Sequence, residues 1–206
     1  MQWACPDLLK AHVADVLAGE YEIALQFDKG VIIDIGANVG AFAVWAAQRW
    51  PGATIFSYEP SREMFEFLKT NTSVFADRIH LHNYAVGDVS HKQLYRGLNN
   101  PGEASFFQLG EQVADFEVVV TKGPEVLPRN AKILKIDTEG CELEILQPLI
   151  AAGNEYSAIL CEYHSESDRR EIDRLLKDYV LAGSQANRPM RGVVKYGHRS
   201  LFPASG

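Results

Sequence analysis

The stretch Val31-Ile-Ile-Asp-Ile35, followed at once by Gly-Ala-Asn-Val-Gly40, constrains the fold more than any other part of this chain. Four β-branched residues out of five suit a strand buried on both faces, and such strands belong to parallel sheets covered by helices on each side. Glycines end the strand. Ala41 to Trp50, rich in alanine and aromatic residues, reads as helix until Pro51-Gly52 breaks the chain.

The same unit then repeats. Thr54 to Glu59 reads as a second strand, and Pro60-Ser61 opens a helix with Met64, Phe65 and Leu68 on its apolar face. Ile79 to Asn83 gives a third strand, Ile133 to Asp137 a fourth and Ser157 to Tyr163 a fifth, with a helix from Glu139 to Ile150 between the last two. Ser165 and Asp168 form a capping box for a helix carrying Ile172, Leu175, Leu176 and Tyr179. Tyr179 to Gln185 and Gly192 to His198, on either side of Asn187-Arg188-Pro189, read as a closing β-hairpin. Between Asp88 and Arg129 three extended pieces, His91 to Arg96, Ala104 to Leu109 and Phe116 to Thr121, have hairpin character. At the front, Asp7 to Gly19 places Leu8, Leu9, Val13, Val16 and Leu17 at helical spacing and stops at a glycine.

Strands alternating with helices specify a doubly wound, mostly parallel Rossmann-like α/β sheet with helices on both faces, here ending in an antiparallel hairpin. Its 206 residues suit one domain, 1–206, with residues 1–30 as a helical extension. The net charge of -7 disfavours nucleic acid as a partner. Arg188, Arg191, Lys195 and Arg199 form a local basic cluster, read as the solvated face of the hairpin. Three scattered cysteines, Cys5, Cys141 and Cys161, supply neither a disulfide framework nor a zinc site. With no leader pattern and no long apolar run, a cytoplasmic location away from membranes is expected.

In such a sheet, ligands bind at the carboxyl ends of the strands where strand order reverses. Those ends carry Asp34 and Gly36, Glu59, Asn83, Asp137 and Glu139, and Glu162 and His164. Gly36-Ala-Asn-Val-Gly40 lacks the middle glycine of a dinucleotide fingerprint, and no Gly-Lys-Ser/Thr follows as in a P-loop. Glu59, about 20 residues beyond the glycines, suits the two hydroxyls of an unphosphorylated ribose. His80 and His82 share one face of the third strand without a third ligand nearby, so packing and exposure account for them.

Three blocks in order, Val31 to Gly40, Tyr58-Glu-Pro-Ser61 and Ile133-Leu-Lys-Ile-Asp-Thr-Glu-Gly-Cys-Glu-Leu-Glu-Ile-Leu146, resemble the class I S-adenosylmethionine-dependent methyltransferases, and within them the FkbM family. The resemblance spans about Val31 to Tyr163. It implies S-adenosyl-L-methionine as cofactor. Asp34, Gly36, Ala37, Asn38 and Gly40 would then hold the methionine end, Glu59 and Pro60 the ribose, and Asn83, Tyr84 and Ala85 the adenine edge. Asp137 would face the amino group and the sulfonium. Glu139, Glu162 and His164 are left for the acceptor.

A sulfonium methyl is already activated, so the protein must hold an acceptor in line and remove a proton. His164 is the first choice of base and Glu139 the second, with Asp137 beside the reacting centre. Asp137, Glu162 and His164 also form a set that could hold a divalent metal; binding of the cofactor amine and of acceptor hydroxyls is the preferred reading, with no metal expected. The resemblance implies O-methylation of a sugar, polyketide-like molecule or other metabolite; the protein is expected to be a monomer or homodimer. The alternatives are a non-catalytic adenosylmethionine-binding module and a methyltransferase directed at nitrogen or nucleic acid. The fourth strand lacks the Asp/Asn-Pro-Pro-aromatic element of amino-directed base methylation.

Overall fold

The computed structural model describes residues 3–88, 91–98, 112–188 and 190–202. A 3-10 turn at Asp7–Leu9 leads into α1 (Lys10–Leu17). Then follow β1 (Gly30–Ile35), α2 (Ala41–Arg49), β2 (Ala53–Tyr58), α3 (Arg62–Thr72) and β3 (Ile79–His82). An inserted section holds β4 (Ala85–Gly87), β5 (His91–Leu98), β6 (Gln112–Lys122) and the short α4 (Gly123–Val126). The main pattern resumes with β7 (Ile133–Ile136), α5 (Glu142–Ala151), β8 (Ala158–Tyr163), α6 (Glu166–Leu175), β9 (Tyr179–Arg188) and β10 (Arg191–His198).

Among the described residues, seven strands form one sheet in the order β3-β2-β1-β7-β8-β10-β9. The first five are parallel, β10 runs antiparallel to β8, and β9 pairs antiparallel with β10. The expected doubly wound sheet with an antiparallel C-terminal hairpin is therefore present. Strand order reverses beside β1, which has β2 on one side and β7 on the other, and this opens the crevice where the site must be sought.

The central strands explain themselves by burial. Ile32, Ile33, Ile35, Ile133, Leu134 and Ile136 are fully buried, because helices cover the sheet on both faces. One core cluster joins α1 and α2 to one face; the other joins α5 and α6 to the opposite face. Across the 3-10 turn and α1 the buried stripe is Leu9, Val13 and Val16, whereas Leu8 and Leu17, expected on the same stripe, are exposed. The 3-10 geometry of Asp7–Leu9 rotates Leu8 off the α-helical face.

Two expectations are corrected. The helix expected from Glu139 starts only at Glu142, because Glu139 (φ 57°) and Gly140 (φ 111°) take left-handed backbone that no α-helix accommodates. In the insertion, β5 and β6 are longer than the pieces read for them and pair antiparallel, while the unforeseen β4 pairs parallel with β6 in a separate three-stranded sheet. The piece Ala104 to Leu109 lies outside the described residues, as does Pro189 of the hairpin turn. The N-caps of α3 and α6 behave as serines do: Ser61 Oγ accepts from Met64 N–H at 3.4 Å and Ser165 Oγ from Asp168 N–H at 3.0 Å.

Candidate active site

The loop after β1 is held by its neighbours on both sides. The N–H groups of Gly36 and Ala37 both donate to the Tyr58 carbonyl at 3.0 Å, which ties the loop to the end of β2. On the other side β7 approaches so closely that a Cβ on Gly36 (φ 76°) would lie 1.7 Å from the Asp137 carbonyl oxygen. Only glycine satisfies both the backbone angle and that contact. Gly40 (φ 90°) then caps the start of α2. Asn38, between them, is also left-handed (φ 49°), a conformation that asparagine adopts more readily than most residues.

Glu59 is buried beneath this loop. Its Oε2 accepts from Asn38 N–H at 2.8 Å and its Oε1 from Ser61 N–H at 2.7 Å. Burial raises its pKa to about 7, against the pull of those two amides. Asn83 donates to the carbonyls of Glu59 (2.9 Å) and Pro60 (3.3 Å) and so fixes the end of β2 from β3. The Tyr84 ring packs against those of Tyr58 and His82, both 5.6 Å away, and Ala85 is buried at the start of β4. His80 and His82 pack on Phe56 (4.9 Å) and Tyr58 (4.7 Å), as expected of packing residues.

The carboxyl ends of β1, β7 and β8 meet in a charged cluster. Lys135, buried within β7, lies 3.2 Å from Asp34 and 3.8 Å from Asp137, and donates to the Gly36 carbonyl at 2.7 Å. Burial works against its ammonium, but Asp34 and Asp137 more than compensate and hold it charged. Asp34 also accepts from Ser57 Oγ at 3.3 Å, and burial raises its carboxyl. Tyr21, from the segment before β1, donates its hydroxyl to Asp137 at 3.3 Å. Asp137 stays low despite burial, since Lys135 and other cations favour its carboxylate.

His164, at the end of β8, sits between carboxylates: Nδ1 is 3.1 Å from Glu142 and Nε2 is 3.1 Å from Glu139. Burial alone would lower its pKa, but these two partners lift it to about 11, so the ring is an imidazolium at neutral pH. Glu142 is fully buried and ties the turn together, its Oε1 accepting from the N–H groups of Thr138 (2.8 Å) and Gly140 (3.1 Å). Arg191, at the start of β10, bridges Glu139 (2.9 Å) and Glu162 (2.8 Å). Burial and then the Asp137 charge push the Glu162 carboxyl up, with Arg191 opposing them.

Ligand atoms from Asp137, Glu162 and His164 lie within 4.8 Å of one another, the set considered for a metal. Each already faces a group of opposite charge: Lys135 beside Asp137, Arg191 beside Glu162, Glu139 and Glu142 beside His164.

The sequence-predicted residues Asp34, Gly36, Ala37, Asn38, Glu59, Asp137, Glu139, Glu162 and His164 thus converge on one crevice. Four contributors were missed: Tyr21, Lys135, Glu142 and Arg191. A correction concerns Arg191, read as part of a solvated basic face. It turns into the acidic cluster, while Lys195 donates to the Glu22 carbonyl (2.8 Å) and Arg199 to the Lys177 carbonyl (3.1 Å). Arg191, Lys195 and Arg199 thus each have their own partner and do not make one solvated basic face; the Arg188 side chain lies outside the described residues.

Residues 34–181 match the family model described as the methyltransferase FkbM domain. The chain belongs to this family. Among FkbM-family relatives and other similar proteins, the hexuronic acid methyltransferase AglP of Haloferax volcanii is 24% identical over 157 residues, 74% of this chain and 63% of that protein. Methyltransferase 1 of Beauveria bassiana is 23% identical over 163 residues, 63% of this chain and 62% of that protein. The chain thus spans under two thirds of the length of these relatives. The crystal structure of methyltransferase FkbM from Methylobacillus flagellatus superposes with a TM-score of 0.61 at 18% identity, covering 84% of this chain and 45% of that one. A precorrin-6y C5,15-methyltransferase from Geobacter metallireducens gives 0.57 at 16% identity, covering 96% and 94%. These two likenesses establish a methyltransferase-type Rossmann-like fold.

Proposed function

We propose that this chain binds S-adenosylmethionine across the carboxyl ends of β2, β1 and β7 and transfers its methyl group to a hydroxyl of a small molecule. The observation that carries the reading is the charge at the crevice. Among the described residues, the ion pairs of Asp34, Asp137, Glu139, Glu142 and Glu162 run to Lys135, His164 and Arg191, so carboxyl groups outnumber cations at the crevice, and a cationic sulfonium beside Asp137 would suit that field. Asp137 would stabilise the amino group and sulfonium, Glu59 would take the ribose hydroxyls, and Asn83, Tyr84 and Ala85 would border the adenine. Family membership supports the same cofactor.

S-adenosylmethionine supplies an activated methyl group. The acceptor oxygen forms its bond to carbon as the carbon–sulfur bond breaks, and the acceptor proton leaves to a base. His164 as placed is a poor base, since both its nitrogens face carboxylates and the ring already carries its proton. Its role is to fix Glu139 and Glu142. Glu162, whose carboxyl is raised, is the better proton acceptor, with Glu139 beside it.

Sugars come first among acceptors because one relative is named a hexuronic acid methyltransferase. The test is incubation with deuterated-methyl S-adenosylmethionine and a panel of uronic acids, neutral sugars and phenols, read by mass spectrometry. A labelled methyl ether on one class supports the reading. Cofactor binding with no product across the panel would favour a non-catalytic binding module. Full turnover by His164→Ala would remove its positioning role towards Glu139 and Glu142, whereas Glu162→Gln is expected to lower kcat more than it weakens cofactor binding.

A further inference from the structure

Arg191 lies beyond the family-matched residues 34–181, yet its side chain reaches the carboxyl ends of β7 and β8. The backbone around it is specialised. Met190 takes left-handed backbone (φ 64°), which a non-glycine residue rarely does, and the pairing of β10 with β9 shifts register between Arg191 and Gly192. At Gly192, β9 presses so close that a Cβ would lie 2.3 Å from the Gln185 carbonyl oxygen. On its other side β10 pairs with β8, Gly192 opposite Tyr163, which sets Arg191 beside the end of that strand. From there the guanidinium spans two carboxyl groups, donating from Nε to Glu162 at 2.8 Å and from Nη2 to Glu139 at 2.9 Å.

A hard divalent cation favours several carboxylate oxygens at close range, and Asp137, Glu162 and His164 bring ligand atoms within 4.8 Å of one another. The set as it stands does not suit one. Both His164 nitrogens are 3.1 Å from carboxylates, Nδ1 from Glu142 and Nε2 from Glu139, whereas ligation requires a neutral ring with a free nitrogen lone pair. Lys135 stands 3.8 Å from Asp137, and Arg191 engages Glu162 and Glu139 through a planar fork that is always charged. The Glu162 and Glu139 side chains are only 8% and 16% exposed, where a partner of opposite charge counts most.

We infer that the Arg191 guanidinium is the built-in cation on the acceptor side of the crevice: it takes the place a divalent metal would have among Asp137, Glu139 and Glu162, and as a positioning residue it holds Glu139 and Glu162 in fixed orientation. The inference deepens the proposed acceptor site, but its test uses neither cofactor nor acceptor, so its failure would leave the methyl-transfer reading standing.

The probe is Mn2+, titrated into the full chain and followed by electron paramagnetic resonance, which measures the free ion. Removing a unit positive charge a few ångströms from the cluster relieves repulsion of a doubly charged ion, so Arg191→Met should bind Mn2+ about tenfold or more tightly than the parent. Adding Glu162→Gln to Arg191→Met should abolish that gain, which places the ion at this cluster. Arg191→Lys keeps the charge and should stay close to the parent. A merely structural arginine would alter Tm without creating an ion site. Equal Mn2+ affinity in the parent and Arg191→Met, a gain that survives Glu162→Gln, or a gain as large in Arg191→Lys overturns the inference. Should Arg191→Met fail to fold, Arg191→Gln, which removes the charge but keeps hydrogen-bonding capacity, carries the comparison.

Discussion

Glu59 makes cofactor affinity depend on pH in a way that can be worked from its surroundings. Burial raises its carboxyl from the ordinary 4.5 to about 7, although the amides of Asn38 and Ser61 favour the charged form. Two ribose hydroxyls are donors, and only the ionised carboxylate accepts from both while also serving the two amides. About one molecule in ten is ionised one unit below the pKa and about nine in ten one unit above it. The dissociation constant for S-adenosylhomocysteine should therefore be about tenfold higher at pH 6 than at pH 8. Titration calorimetry across that range measures it. Glu59→Gln should abolish the slope and weaken binding at every pH. It should also lower Tm by several degrees, because one of the two amides then faces an NH2 group, an unsatisfied donor that costs about 1–3 kcal/mol. For stability the sign is opposite. A folded-state pKa above the unfolded one means Glu59's contribution is greatest below pH 4.5 and declines as pH rises towards 7. A flat affinity profile in the unaltered protein, or the same slope surviving in Glu59→Gln, would refute this account of the residue.

Gly36→Ala should yield little folded protein, since its Cβ would lie 1.7 Å from the Asp137 carbonyl oxygen; expression yield and circular dichroism report it. Lys135→Met should cost about 3–5 kcal/mol in urea unfolding, because it leaves Asp34 and Asp137 buried without their shared cation. Turnover should be unchanged by EDTA, since Asp137, Glu162 and His164 each already face an opposite charge; loss of activity restored by magnesium or manganese would instead assign a metal to those three residues.

The sheet was legible because its central strands are buried on both faces, which the sequence writes as dense β-branched runs. The glycine loop was legible because left-handed backbone and close approach leave few residue choices. Lys135 was not, because a lysine inside an apolar strand does not announce which carboxylates surround it; Asp34 is a hundred residues away along the chain. The turn at Glu139 and Gly140 was hidden for a related reason. Arg191 and His164 hold Glu139 by contacts from distant parts of the chain, while Glu142 ties the Gly140 N–H locally, and the apolar helical spacing beyond it carries the helix reading back too far. Arg191 looked like a hairpin surface residue until β10 was paired beside β8, which brings it against Glu162. Tyr21 stands in a segment without strong periodicity, and the carboxylate that its hydroxyl meets, Asp137, is 116 residues away along the chain.

The most direct test of the central claim is a calorimetric titration of the unaltered protein with S-adenosylmethionine and S-adenosylhomocysteine at pH 8. The account predicts a single saturable site in the micromolar range for both ligands, lost in Glu59→Ala. No measurable heat with either ligand, from protein shown to be folded, would contradict it and leave the Rossmann-like fold without the proposed chemistry.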